Sequence, residues 1–289
     1  MLNIKNIINK ITFIITVLAL FFISVSENTI NAKEKDLATS NELISLNYHR
    51  VRKENFIDKT LNIISVNKEL DVYSVSTDTF ESQILYLKNK GANFLTLDEV
   101  IEGIENNSFP AKSVWINFDD MDISVYKNAQ PILEKYQVPA TGFVITGQIG
   151  ANNFNNLKLM NETELQSLSN SGLWDFASHT NDLHYLYSNG QTALVTAEPD
   201  IIAKDIQKGQ EKLKDLFGKN YPVIAYPYGI SNDKVQDVLE KNGIQYGFTL
   251  EDKLISSKEY NPYYLPRILV TEDAFQRYVN TWEDFKNDK

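Results

Sequence analysis

The feature that most constrains the fold is an alternation, sustained from residue 43 to residue 270, of short β-type apolar runs with segments of helical periodicity. The runs lie at 43–48, 113–118, 140–145, 174–178, 222–226, 246–250 and 264–270. Between them Phe80, Ile84 and Leu87 repeat at helical spacing behind the candidate caps Thr77 and Asp78, and Gly91 follows as a stop. Further helices are expected over 98–106, 123–136, 163–169, 200–217 and 233–241, with Gly218 and Gly243 ending the last two. Strands alternating with helices predict an α/β architecture, a parallel sheet or barrel. No internal repeat, low-complexity tract or proline-rich linker interrupts the pattern, so 43–289 reads as one domain.

Ahead of that domain, Lys5 and Lys10 precede an uncharged, mostly apolar stretch at 11–26, after which the chain turns polar. This is the layout of a secretory signal peptide, and it is shorter than the ~20 apolar residues of a membrane-spanning helix. Small residues permit cleavage after Ser26 or after Ala32, so 1–32 is read as signal peptide and cleavage region and 33–42 as a polar lead. The mature chain, with no transmembrane segment expected, would be secreted, extracellular or cell-surface associated. Cysteine is absent, so there can be no disulfide, no thiolate metal site and no lipid-modified cysteine; any attachment to the surface would be non-covalent. The formal charge is −10, which opposes binding to a phosphate backbone and makes nucleic acid a poor partner. A neutral or cationic polymer is easier to accommodate, although acidity can equally serve solubility alone.

The chain has three histidines, and each falls at the C-terminal edge of an expected strand: His49 after 43–48, His179 and His184 after 174–178. In parallel barrels that edge builds active sites. Asp119 and Asp120 follow the run at 113–118 in the same way. Adjacent carboxylates on a turn can point apart, one ligating a cation while the other stays free as a base. A solvated acidic turn, helped by Asp122, is the plainer alternative. His179 and His184 are five apart, a spacing that does not stack them on one helical face, so a loop must bring them together. Two imidazoles and one carboxylate leave positions open on a divalent ion, as a catalytic site requires.

Three segments in order, Asn117-Phe-Asp119-Asp120, Gly172-Leu-Trp-Asp-Phe-Ala-Ser-His179-Thr with His184, and Ala225-Tyr-Pro-Tyr228-Gly229, resemble the first three motifs of the polysaccharide deacetylase family (NodB homology, carbohydrate esterase family 4). The resemblance implies a distorted (β/α) barrel. It also implies Asp119 as general base, Asp120, His179 and His184 as metal ligands, and the backbone N–H of Tyr228 as an oxyanion donor. Asn117 stands where the family usually has Thr, and Ala225 where it usually has the Arg that braces the base; Arg267 is the candidate substitute. No histidine follows His184 to serve as the family's late acid. His49 can take that place if the barrel is circularly permuted, an arrangement similar to the branch that de-N-acetylates poly-β-1,6-N-acetylglucosamine.

The implied activity is metal-dependent removal of N-acetyl groups from a secreted poly-N-acetylglucosamine, releasing acetate and making a biofilm polymer cationic. Zinc suits the ligand set, with cobalt or nickel compatible. Trp174, Tyr185, Tyr187 and Arg267 are candidate substrate contacts, with core packing the plainer role for Trp174. Asp175 matches an acidic position of the second motif. Peptidoglycan or chitin deacetylation by the same chemistry, and an inactive carbohydrate-binding barrel, are the competing readings.

Overall fold

The computed structural model describes residues 38–53 and 73–286, so the expected signal segment at 1–32 lies outside the described residues. The strand β1 (Thr39–Ser40) falls within the expected polar lead and precedes β2 (Glu42–Tyr48). Every residue of β2 after Glu42 is buried, as expected of a strand covered on both faces. β3 (Arg50–Arg52) pairs in parallel with β4 (Ser74–Ser76), and Ser76 then caps α1 (Thr77–Asn89) by accepting the Thr79 N–H. β5 (Asn93–Phe94) leads to α2 (Leu97–Glu105), which opens with a capping box formed by Thr96 and Glu99. β6 (Phe109–Pro110), which pairs with β1, and β7 (Ser113–Phe118) follow.

The helix expected over 123–136 is divided. A π-helical turn at Val125–Ala129 runs into α3 (Gln130–Tyr136). Pro131 has no N–H to give to the carbonyl of Lys127, so the regular ladder cannot run through this point. The chain continues through β8 (Ala140–Val144), α4 (Glu162–Asn170), β9 (Trp174–Ser178), α5 (Ala193–Thr196), α6 (Pro199–Phe217), β10 (Val223–Ala225) and α7 (Asp233–Lys241). β11 (Tyr246–Phe248), β12 (Ile255–Ser256), β13 (Ile268–Leu269), α8 (Glu272–Val279) and α9 (Glu283–Lys286) complete it.

One curled sheet runs in the order β11, β10, β9, β8, β7, β2, with β5 added beside β7, and β12 and β13 beside β2. All its pairings are parallel except β12 with β2. Side chains alternate across it with the period of two that strands impose. Leu43, Trp115, Phe143, Ala177, Ala225 and Phe248 form one buried cluster, while Ile44, Leu46, Val114, Ile116, Phe118 and Phe176 belong to another that includes helical residues of α1, α3 and α4.

The expected strand over 264–270 is a seam rather than a strand. Pro266 interrupts it, leaving a single parallel bridge from Leu265 to Phe248 and the short β13 pairing with Leu46 and Asn47. This seam joins β11 to β2, the two sides of the curl. Because the long strands are parallel, β2, β7, β9 and β10 all end at the same rim.

Candidate active site

At that rim the backbone is forced into conformations that L-residues avoid. Asp120, Met121, Thr180 and Tyr228 have φ of 67°, 60°, 72° and 58°. For a β-branched residue such as Thr180 this is a true outlier, and each such residue costs about 1–3 kcal/mol. Of these residues, Asp120 and Tyr228 line a cavity at the rim. Met121 N–H donates to the Asp119 carbonyl across a three-residue turn, which sends Asp119 and Asp120 in different directions. Gly229 is required where it stands: its φ is 70° and an added Cβ would lie 2.6 Å from the Leu250 nitrogen.

Asp120 Oδ1, His179 Nε2 and His184 Nε2 converge, with separations of 3.1 Å between the imidazoles and 3.5 and 3.2 Å from the carboxylate oxygen to His179 and His184. A tetrahedral ion with bonds of ~2.0–2.1 Å to N and O would space its ligands ~3.3 Å apart. His179 Nδ1 lies 2.8 Å from the Ala225 carbonyl, which accepts a hydrogen bond from the Nδ1–H tautomer and so leaves Nε2 with a lone pair. Burial also draws the His179 pKa down to about 4, against the pull of Asp119, so the ring is neutral. Asp120 Oδ1 is buried and accepts no hydrogen bond from the described residues. The His179 lone pair, the His184 Nε2 atom and a carboxylate oxygen without a hydrogen bond from the described residues lie in contact, an arrangement that fits a bound cation, although Asp120 raises the His184 pKa against the effect of burial.

Asp119 stays out of that trio. Arg267, fully buried, donates from Nη1 to Oδ1 at 2.7 Å and from Nη2 to Oδ2 at 2.8 Å, a bidentate pair. Nη1 also reaches Asn117 Oδ1 at 3.0 Å, and Nε donates to the Thr249 carbonyl at 3.1 Å. Burial would raise the Asp119 pKa, but the charge and hydrogen bonds of Arg267 outweigh it and hold the carboxyl below its ordinary value. His49 Nε2 stands 4.0 Å from Asp119 Oδ2, and His179 Nε2 3.9 Å from the same oxygen. Burial lowers the His49 pKa, while Asp119 and Asp120 oppose the shift. The His49 ring leans on Tyr73 at 4.7 Å. His49, Asp120, His179, His184, Tyr185 and Tyr228 all line one open cavity of about 630 Å³.

One residue with a direct part in this geometry had no signal in the sequence. Asp205, buried on α6, accepts the Asn181 N–H on Oδ1 at 2.8 Å and the Asp182 N–H on Oδ2 at 2.7 Å. From the other side Thr146 N–H donates to the Thr180 carbonyl and Gly147 N–H to the Asn181 carbonyl. This clamp holds the 179–184 loop in the shape that lets imidazoles five apart meet. A helical acid among several on α6 looks like any solvated carboxylate until the fold brings the loop to it.

Two expected substrate contacts are corrected. Trp174 begins β9, far along the strand from its rim, where it packs on Phe118 and Phe176 and its indole N–H donates to Gln130 Oε1. Arg267 has no exposed surface and serves Asp119 instead. Asp175 also points away from the rim trio: its oxygens accept from the Leu97 N–H and the Tyr221 hydroxyl. Tyr185 and Tyr187 are exposed beside His184, with Tyr185 on the cavity wall. The Tyr228 ring lies 4.9 Å from that of His184.

Known proteins resemble this chain over most of its length. Residues 106–247 match the family model described as polysaccharide deacetylase. The poly-β-1,6-N-acetyl-D-glucosamine N-deacetylase of Staphylococcus aureus strain MSSA476 is 47% identical over 245 residues, 85% of this chain and 84% of that protein. The chain belongs to the polysaccharide deacetylase family. The protein of the same name from Staphylococcus epidermidis is 45% identical over 249 residues, 86% of both chains. Among solved structures, IcaB from Ammonifex degensii superposes with a TM-score of 0.70 at 29% identity, covering 82% of this chain and 95% of that one. As a polysaccharide deacetylase the chain has the expected α/β fold of its family, and the Asp120, His179, His184 trio is its candidate metal site. Among the described residues no helix is long and apolar enough to cross a membrane.

Proposed function

We propose that the chain removes N-acetyl groups from a secreted poly-N-acetylglucosamine, with poly-β-1,6-N-acetyl-D-glucosamine as the polymer. The carrying observation is the pairing, in one cavity, of a cation-type Asp/His/His trio with a separate carboxylate locked onto Arg267 and a third imidazole 4.0 Å from it. Similarity over most of the chain to the two staphylococcal proteins supports the choice of polymer.

A divalent cation held by Asp120, His179 and His184 would polarise the acetamide carbonyl and lower the pKa of water; the donor set suits zinc, and cobalt or nickel would also fit it. Asp119, kept ionised by Arg267, accepts a proton from the attacking water. The Tyr228 N–H donates to the oxyanion that develops on the former carbonyl oxygen. His49, 4.0 Å from Asp119 Oδ2, gives a proton to the departing sugar nitrogen. Water is thereby added across the amide: the C–N bond breaks, a C–O bond forms, and acetate and a sugar amine are released. That amine is cationic near neutral pH.

Residues 1–32 act as signal peptide, 33–42 as a lead and 43–289 as the deacetylase domain, and the exported chain associates with the cell surface non-covalently if at all. The place of β2, first among the long strands yet directly beside β7, supports a circularly permuted barrel with the acid-bearing strand at the front.

The test is acetate release from poly-β-1,6-N-acetylglucosamine, chitin and peptidoglycan by the chain reconstituted with zinc, cobalt or nickel. Release from the first polymer, with one metal per chain and joint loss of metal and activity in Asp120→Ala and His179→Ala, is the expected result. Release only from another polymer reassigns the substrate, and full activity of a metal-free variant rejects the site.

A further inference from the structure

The face of the curled sheet that carries Leu43 and Trp115 turns polar toward the rim. By the alternation of a strand, Ser45 and Asn47 follow Leu43 on that face of β2, and Asn117 follows Trp115 on β7. The parallel register sets Asn47 directly opposite Asn117. Ser45, Asn47, Asn117 and Arg267 have no exposed surface. Buried polar groups are costly unless paired, and apolar side chains of the same shape would fill the space almost neutrally, so the amides need a reason beyond packing. Asn117 Nδ2 donates to Ser45 Oγ at 3.0 Å, while its Oδ1 accepts from Asn47 Nδ2 and from Arg267 Nη1, each at 3.0 Å. A guanidinium has only donors, so the Asn117 atom facing Arg267 must be the oxygen, and Asn47 must turn its NH2 toward that oxygen as well. Asn47 Oδ1 is thereby left buried without a hydrogen bond from the described residues. The direction of the whole ladder is set from its Arg267 end.

Arg267 stands between Pro266 and the two-residue β13, not within a strand, so its guanidinium depends on contacts of its own. Phe143 covers one face, its ring centre 4.9 Å from Cζ. In the plane, Nε donates to the Thr249 carbonyl and Nη1 to Asn117, two contacts besides the pair with Asp119. A guanidinium and a carboxylate can also meet through a single nitrogen or a single oxygen; bonds that fix the guanidinium within its own plane select the two-bond form. The two oxygens of Asp119 then differ. Oδ1 meets Nη1, the nitrogen that also reaches Asn117, whereas Oδ2 lies 4.0 Å from His49 Nε2 and 3.9 Å from His179 Nε2.

We propose that Asn117, held by Asn47 and Ser45, is a positioning residue: it fixes Arg267 within its plane and thereby presents Asp119 Oδ2, rather than Oδ1, to the reacting water. The inference rests on the deacetylase reading for its effect on turnover, and its structural part is tested apart from that reading. In acetate-release assays Asn117→Leu should lower kcat about tenfold, the size of one hydrogen bond to a charged group, with KM and the Kd for zinc unchanged. Asn117→Thr guards against a failure to fold: it suits a strand, and its hydroxyl stops about one bond short of Nη1, so the same loss in kcat is expected. In an Arg267→Lys background, where an ammonium has no plane to fix, neither substitution should lower kcat further. An unchanged kcat, an equal loss in the lysine background, or a loss carried by KM or by weaker zinc binding overturns the role. A crystal structure of Asn117→Thr separates the two readings. Loss of one of the two Arg267–Asp119 contacts supports the positioning role even if the parent chain releases no acetate, a result that would overturn the deacetylase reading instead. Both contacts kept at 2.7 and 2.8 Å overturn the role whatever the activity.

Discussion

A carboxylate that must remain charged while buried needs a fixed cation beside it, and Asp119 has one in Arg267. Replacing Arg267 by Met leaves that charge unpaired, a change that costs about 3–5 kcal/mol in buried pairs. The paired Asp119 has a lowered pKa, so its contribution to stability is present above the unfolded carboxyl value, ~3.9, and is lost as pH falls through the folded value. Without Arg267 the pKa rises, so the acidic limb of the kcat/KM profile should move to higher pH; an unmoved limb would remove Asp119 from the base role. His49→Ala should retain metal by elemental analysis while kcat falls about 10²–10⁴-fold, the usual worth of a positioned acid. An unaltered kcat would leave the departing amine without its donor. These residues were legible because histidine and paired aspartate are scarce and sat at strand ends. The Arg267 contact was readable from the gap at Ala225, where an arginine is expected, which made Arg267 the candidate to fill it.

At the scale of elements, alternation of apolar runs located the strands well, since parallel strands buried on both faces leave a strong apolar signal. It failed where a proline acts: Pro131 splits the helix over 123–136 and Pro266 breaks the run over 264–270. It also could not supply contacts between distant elements, of which the Asp205 clamp is the clearest. Asp205→Asn can accept only one of the two loop N–H groups, and its own NH2 faces the other. The variant should lose metal affinity about 10–100-fold, as loss of support behind metal ligands commonly does, with only a small fall in Tm. Zinc titration of the variant checks this, and an unchanged Kd for zinc would show that the 179–184 loop keeps its shape without α6.

For the molecule as a whole, stability must come from packing and from whatever the site binds, because the chain has no cysteine. A ligand that binds only the folded state stabilises it by mass action, about 2.7 kcal/mol at a hundredfold excess over Kd. The Tm should therefore rise with zinc and fall when a chelator is added. A Tm indifferent to both would contradict a metal centre joining β7 to β9. The seam between β11 and β2 has a consequence for how such a chain comes to life. The proposed ligands Asp120, His179 and His184, with the supporting Asp205 and the Ala225 carbonyl, are all in place by position 225, whereas the guanidinium paired with the proposed base Asp119 arrives only at position 267. In a chain made from its N-terminus, the proposed cation site therefore precedes the arginine on which the proposed hydrolysis depends.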